Sequence, residues 1–425
     1  MTLAEVIRPT ADDARECWGL LEGAACENSR TLSSFMTTSL RIVCVAISLW
    51  SAAPLVQAAA AGSRETVEQM VDRLFQEAAA LDRKGDLAGV EAKMTEVIAV
   101  KPSEPGGYYN RAQVRRAMKR FDEAKEDINK FLKLLPGHED GLVVRARINL
   151  EANNYQAAII DTSDVLRRNA DNHDARLIRA ESYKLMRGYR AALEDYRKLR
   201  EKDVEDDAIL ASEGQCELML AQYSDAKVTL RRLLGRVPEN GWAHYQFGQA
   251  QFGTLEFEAA IASYRKAESL KFNRVDTQRS IGYCHFARKD DANAIAVLKE
   301  VIKEHPAGSP YVYFVLHLAL QRAERPMAES PLREAMAGWE SEWARSLARY
   351  LLGEMSDHEL LRLAKAATQS DKRDEQLCEA YYYIGMGRQR QKDVVAAELL
   401  FERVLQTQAK TFVEFTFSRT ELPRR

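Results

Sequence analysis

The sequence predicts an all-α fold, a solenoid of about nine stacked helix pairs, on three observations. First, an aromatic residue stands three positions before an alanine in Phe121/Ala124, Tyr155/Ala158, Tyr189/Ala192, Tyr223/Ala226 and Phe257/Ala260, with the alanines 34 residues apart. Ala294 and Ala328 extend that series, and Val90 stands one period before it. Second, a series of small residues runs twelve positions earlier, through Ala78, Ala112, Ala146, Ala180, Gly214, Gly248 and Gly282. Third, 29% of the residues are charged, while Gly (21) and Pro (11) are few in 425 residues. That balance suits exposed amphipathic helices rather than sheets or disorder.

A fixed period of this length marks a repeat architecture, in which one helix pair is the unit. On the first helix of a unit, Phe247, Gly248 and Gln251 fall on one face, Gln251 three and four residues after the other two. On the second, Ala260, Tyr264 and Ala267 share one face. Small residues are needed where two helix backbones cross closely, because a larger side chain would force the axes apart. Pro102, Pro136, Pro238 and Pro306 close several units; each stops the second helix and favours an extended turn into the next unit.

This pattern resembles the tetratricopeptide repeat. The resemblance implies a right-handed α-α superhelical solenoid whose units begin near residues 71, 105, 139, 173, 207, 241, 275 and 309. The first and eighth units depart most from the pattern, with Val90 in place of alanine and Leu316 at the small position of the first helix. The expected organisation is a linker over 59–70, eight in-register units over 71–342, two irregular helices and a loop over 343–377, and a last unit with a capping helix over 378–425. In the irregular part, WARSLARYLL and SDHELLRLAKAA read as helices, with Ser356 and Glu359 forming a capping box for the second. The polar run QSDKRDEQ leads into the last unit, which carries Gly385 at the small position and Ala397 and Phe401 on its second helix. The closing stretch AKTFVEFTFSRTEL is amphipathic and reads as the cap over the apolar end of the solenoid. CEAYYYIGM, the Ala397/Phe401 unit and TFVEF are also similar to bacterial envelope tetratricopeptide proteins that act as adaptors for other envelope enzymes.

Charge excludes some functions. Lys plus Arg (61) nearly cancel Asp plus Glu (63), and without residues 1–58 the two signs are equal. A nucleic-acid binder needs a basic face to displace counterions, and a polybasic membrane-surface protein needs the same, so neither is expected. Cys17, Cys26, Cys44, Cys216, Cys284 and Cys378 include no CxxC pair, which argues against a disulfide framework or a zinc site. The chain has no GxxxxGK[ST], GxSxG or HExxH, and its seven histidines never fall at ligand spacing on one helix turn. GMGR at Gly385–Arg388 lies inside a predicted helix with no strand before it, so it reads as packing. The expectation is a chain without catalytic residues, metal or cofactor: not an enzyme.

The resemblance places the partner site. In a tetratricopeptide array the first helices line a concave groove, chiefly through the second, fifth, ninth and twelfth positions of each unit. Carried onto this sequence, those positions give Trp242, Tyr245, Gln249 and Phe252, then Asp276, Arg279, Tyr283 and Phe286, then Tyr313 and His317. The partner-binding candidates are Trp242, Tyr245, Gln249, Arg279, Tyr283, Tyr313 and His317, while Tyr109, Gln113, Arg116, Arg147 and Lys184 form a more basic stretch upstream. Rings with amides and guanidinium groups suit an extended peptide or a docked helix. Aromatics at these positions also pack between units, so Tyr245, Phe252 and Phe286 have a purely structural alternative. The expected function is an interaction scaffold or adaptor that binds a segment of an envelope protein. The alternative is an enzyme or carbohydrate-binding subunit acting on an envelope polymer, since the same rings stack on sugars.

The compartment follows from MTTSLRIVCVAISLWSAAPLVQA, residues 36–58. A short segment with Arg41, an apolar run from Ile42 to Val56 and the small-residue site Val56-Gln57-Ala58 make a signal peptide starting at Met36. An uncleaved anchor is the alternative, because Ile42 to Ala61 is 20 residues without a charge, close to the minimum span. Either reading puts the repeats outside the cytoplasm, in the periplasm or the envelope, and contact with a membrane requires the uncleaved form. Residues 1–35 carry no repeat or motif and read as an extension upstream of the native start.

Overall fold

The computed structural model describes residues 65–201 and 206–423. The two stretches belong to two compact bodies, an N-terminal and a C-terminal one. The expected leader or anchor over 36–58 and the extension over 1–35 lie outside the described residues. Every regular element among the described residues is helical, and none is long and apolar enough to cross a membrane.

The N-terminal body consists of α1 (Val67–Asp82), α2 (Leu87–Val100), α3 (Pro105–Ala117), α4 (Phe121–Leu134), α5 (Glu139–Glu151), α6 (Tyr155–Arg168), α7 (His173–Leu185) and α8 (Tyr189–Glu201). The C-terminal body continues with α9 (Asp207–Met219), α10 (Tyr223–Arg236), α11 (Gly241–Gly253), α12 (Phe257–Ser269), α13 (Arg274–Ala287), α14 (Asp291–Glu304) and α15 (Pro310–Arg322). It ends with α16 (Leu332–Met336), α17 (Glu342–Leu351), α18 (Asp357–Lys365), α19 (Ser370–Arg390), α20 (Val394–Leu405) and α21 (Val413–Glu421). Within each body consecutive helices pack on one another, and first helices of successive units also touch, as α5 does α7 and α9 does α11.

Local chemistry sets the punctuation. The second helices begin at Leu87, Phe121, Tyr155, Tyr189, Tyr223, Phe257 and Asp291, at a strict 34-residue spacing. Asn172, Asp206 and Asn240, also 34 apart, cap α7, α9 and α11 by accepting from Ala175 N, Ala208 N and Ala243 N at 2.8, 2.7 and 3.0 Å. The turn from first to second helix passes through a left-handed residue each time: Gly85, Lys119, Asn153, Arg187, Ala221, Leu255 and Lys289, with φ between 54° and 73°. The next amide closes the turn on the helix end, as Asn154 N does on Asn149 O at 2.7 Å and Gln222 N on Glu217 O at 2.8 Å.

The small-residue series has the expected cause. A Cβ on Gly282 would lie 2.5 Å from Leu298, and one on Gly385 2.6 Å from the Phe401 ring. Ala124, Ala158, Ala192, Ala226, Ala260 and Ala294 are fully enclosed. At such crossings one added methyl group forces the helices apart.

Three expectations about the C-terminal part are corrected. The eighth unit lacks its second helix: a 3-10 turn at Met327–Glu329 and the five-residue α16 stand in its place. Pro326 and Pro331 break the segment, since each lacks an N–H and disfavours helix at the preceding residue. The polar run before the last unit is not a loop, because α19 starts at Ser370 and carries the run on its first two turns. The third correction concerns α21, which packs on α19 and α20 of the last unit but also reaches the first helices of earlier units.

Candidate functional site

The first helices α11, α13 and α15 of the C-terminal body carry most of the residues expected to face a partner, and α21 reaches each of these helices, through Phe417, Arg419 and Glu421. Val413, Glu414, Phe417, Ser418 and Glu421 fall on one side of α21, at the i, i+4, i+8 spacing of a helix face, and Val413, Glu414, Phe417 and Ser418 are buried. The Phe417 ring meets Phe286 at 5.1 Å, Tyr382 at 5.9 Å, and Phe252 and Tyr283 at 6.0 Å each, all tilted or edge-on. Such ring pairs add to the area they bury. On either side of the segment, polar contacts fix its register. Tyr223 Oη donates to Lys410 O at 2.8 Å, and Arg419 Nη1 donates to Gly253 O at 2.7 Å. The Glu421 carboxylate meets Lys289 Nζ at 3.0 Å and Arg322 Nη1 at 3.3 Å, and accepts from Gln389 Nε2 at 3.0 Å.

Five of the seven residues expected at the partner surface are interior in this conformation. Tyr245 is 2% exposed and packs on Tyr264 and Phe272 at 5.5 and 5.0 Å. Arg279 is buried with its Nη2 on Asp276 Oδ1 at 2.6 Å. Tyr283 lies under Phe417. Tyr313 donates to Pro306 O at 2.6 Å and stacks edge-on against Trp339. His317 bonds Ser330 Oγ and Gln321 through its two ring nitrogens, and burial pushes its pKa down to about 4, so the ring is neutral at pH 7. Trp242 and Gln249 are half-buried; Trp242 packs on the α9–α11 core cluster, and Gln249 faces the covered groove. The physical reasons differ: α21 covers Tyr283, whereas Tyr245, Arg279, Tyr313 and His317 are enclosed by contacts within their own and adjoining repeat elements. The gap that α21 leaves, between Gln249, Phe252, Tyr283, Val413 and Thr416, measures about 70 Å³. That is room for a few waters and not for a peptide.

Beneath α21 lies a polar element that the sequence reading missed. Glu414 on α21 and Glu379 on α19 are both 1% exposed. Tyr383 Oη donates to Glu414 Oε1 at 2.8 Å, and Trp343 Nε1 donates to Glu379 Oε2 at 2.5 Å. Burial raises both carboxyls well above the ordinary glutamate value, and the two acids raise Glu379 further by facing each other. Their signal in the sequence is faint, because charged residues on amphipathic helices are normally solvated.

The upstream basic stretch is neutralised. Arg116 meets Glu151 at 2.5 Å, Arg147 meets Asp174 at 3.1 Å and Lys184 meets Glu181 at 2.9 Å. A different basic series dominates that body. Arg111, Arg145 and Arg179, each 34 residues on, grip Asp127, Asp161 and Asp195 with two bonds of 2.7–2.8 Å. The remaining Nη1 reaches back to Thr95, Asn129 and Ser163 on the second helix of the unit before, at 3.1, 3.0 and 3.4 Å. Each clamp therefore ties three helices. In the first unit the same two positions hold Glu77 and Lys93, 3.0 Å apart with the charges exchanged. A 34-residue comparison of charged positions would have found this series.

Among the described residues no group of acids, histidines and cysteines is arranged to hold a metal ion, and Cys216, Cys284 and Cys378 are buried and outside any disulfide.

Fold and groove together define an all-helical repeat scaffold. The description "Tetratricopeptide repeat" belongs to two family models that match residues 109–172 and 280–307, one in each body, so the chain carries tetratricopeptide repeats over those stretches. It is similar to a solved tetratricopeptide repeat protein from Parabacteroides merdae, at 18% identity over 59% of this chain and 99% of that one, with a TM-score of 0.43. The C-terminal part of a repeat protein from Cytophaga hutchinsonii is similar at 16% identity, over 55% of this chain and 95% of that one, with a TM-score of 0.47. YrrB, described as a TPR protein with an unusual peptide-binding site, is similar at 16% identity over 43% of this chain and 95% of its own, with a TM-score of 0.40. No curated protein matches the sequence.

Proposed function

We propose that this chain is an exported, non-catalytic scaffold that binds a segment of an envelope protein along the first helices of its C-terminal body. The observation that carries the reading is the seating of α21: a nine-residue amphipathic helix lies across α11 and α13, with Phe417 within 6.0 Å of Phe252, Tyr283 and Phe286. A surface that accepts one short helix through rings and flanking charges has the chemistry to accept another. Export rests on the sequence of residues 36–58.

The test has two readouts. Mass spectrometry of the native protein should find Ala59 at its start in an extracytoplasmic fraction; a peptide from residues 1–30 in that protein would refute the assignment. Capture from an envelope fraction should fall at least tenfold in Gln249→Lys, which places a charge in the groove at a half-buried position, with the helical circular dichroism signal unchanged. Equal capture by the variant removes the groove assignment.

A further inference from the structure

The groove carries its own template. Its recess of Phe252, Tyr283, Phe286 and Tyr382 takes one phenyl ring, Phe417. Three residues before that ring, Tyr383 Oη meets the Glu414 carboxyl at 2.8 Å. Four residues after it, Lys289 and Arg322 hold the Glu421 carboxylate at 3.0 and 3.3 Å. We propose, building on the reading above, that the partner segment is a helix with the pattern acid-x-x-Phe-x-x-x-acid, and that it binds by displacing α21 from this groove.

The present occupant fits the recess incompletely. Ser418 Oγ on α21, Tyr382 Oη beneath it and Glu379 Oε1 are buried without a hydrogen-bond partner. Each is a group that a better-matched segment would pair or leave out. The gap of about 70 Å³ beside Val413 and Thr416 is further contact not made. At nine residues α21 is too short to be stable as an isolated helix, so it keeps its form only by docking. It follows α20 after a seven-residue connection, 406–412. A tethered occupant competes at an effective concentration near millimolar, which lowers the apparent affinity of any partner by the fraction of time the groove is closed. Weakening α21 must therefore strengthen binding in trans.

The probe is a labelled peptide of residues 409–422, AKTFVEFTFSRTEL, titrated into the full chain and into its Phe417→Ala variant. The variant should bind the peptide at least tenfold tighter than the natural chain, and the same peptide with alanine at the Phe417 position should bind neither. Equal affinity of the two chains, or of the two peptides, overturns the proposal. Should Phe417→Ala unfold, Glu421→Gln serves instead: it removes the carboxylate from Lys289 and Arg322 and leaves the ring in place, and an affinity gain of about threefold is expected. No gain in either variant refutes displacement. Doubling of the natural chain's mass in light scattering, abolished by Phe417→Ala, would make the occupant a second copy and overturn the partner class. If groove-dependent capture persists but the peptide does not compete with it, the pattern is wrong while the scaffold reading stands; if capture ignores Gln249→Lys, the scaffold reading itself fails.

Discussion

The two bodies use one helix-pair unit and hold it together by different means. In the N-terminal body the joints are polar: Arg111, Arg145 and Arg179 repeat a clamp on Asp127, Asp161 and Asp195 and on the unit before. One and two periods further on, the aspartate position becomes Thr229 and Ser263, and the arginine position becomes Glu213 and Phe247. In the C-terminal body the corresponding cluster is aromatic: Tyr245, Tyr264 and Phe272 of the unit that begins at 241 pack on one another and share one core cluster with Ile281 and Cys284 of the next unit. There the chain also fills its own groove, with α21 joining rings from other helices of that body. The lesson is a division of labour within one repeat: bidentate ion pairs fix geometry through donor directions, whereas rings supply buried area and pair geometry that is less strictly directed.

The sharpest way to break that comparison is to change the same repeat position in both bodies. Asp195 accepts from Arg179 at 2.8 Å and from Arg176 at 3.2 Å, so Asp195→Ala leaves two half-buried guanidinium groups facing each other. A loss of about 3 kcal/mol is expected, because removing one partner of a buried pair strands the other charge. Thr229→Ala, one period later, strands no charge and should cost about 1 kcal/mol. Hydrogen exchange read by mass spectrometry resolves the two bodies separately; equal losses would show that the clamps do not distinguish them.

The scaffold is legible in the sequence because its signals are local and periodic. Ala124 to Ala294 and Gly214 to Gly282 mark crossings that only small residues permit, and they repeat at a fixed interval. Breaks in the period are harder to place: Pro326 and Pro331 are visible, yet Ala328 keeps the phase and suggests a helix that the prolines prevent. The site is less legible for a different reason. The repeat identifies positions on the first helices, and of these Tyr283 meets the groove helix, whereas Tyr245 and His317 are enclosed by neighbouring repeat elements. Whether the Tyr283 position ends in solvent depends on a segment far along the chain, and no local pattern ties Phe417 to Phe286. TFVEF reads as amphipathic, but its destination is a long-range contact.

A smaller effect tests how α21 is held. Glu414 is enclosed with Tyr383, Glu379 and Cys378 from α19 and Tyr283 from α13 around it. Burial raises its pKa from 4.5 in the docked state, so the docked state binds more protons than the released one above that value. Docking must then weaken as pH rises from about 5 through neutrality, and strengthen in mild acid. Each tenfold difference in the proton affinity of Glu414 between docked and released α21 is worth about 1.4 kcal/mol of docking. Ring signals of labelled Phe417 in NMR should show growing exposure between pH 5 and 8, and Glu414→Gln should remove most of the slope. A flat profile in the natural chain would mean that the proton is not part of the docking contact.

The smallest effect concerns what the two bodies share. Lys119, Asn153 and Arg187 in one, and Ala221, Leu255 and Lys289 in the other, take the left-handed conformation at the same place in the turn, with φ from 54° to 64°. Only the first unit has a glycine there, Gly85 at 73°. A side chain in that region costs about 1–2 kcal/mol, and glycine returns part of this through the greater freedom of its unfolded chain. Leu255→Gly and Lys119→Gly should therefore each stabilise their own body by about 0.5 kcal/mol, and Asn153→Gly by less, since asparagine tolerates this conformation. No two of these sites lie closer than a full unit in sequence, so the gains should add. If glycine stabilises the N-terminal body and not the C-terminal one, the turns of the aromatic body are held by their packing, and the difference between the bodies extends below the joints into the unit itself.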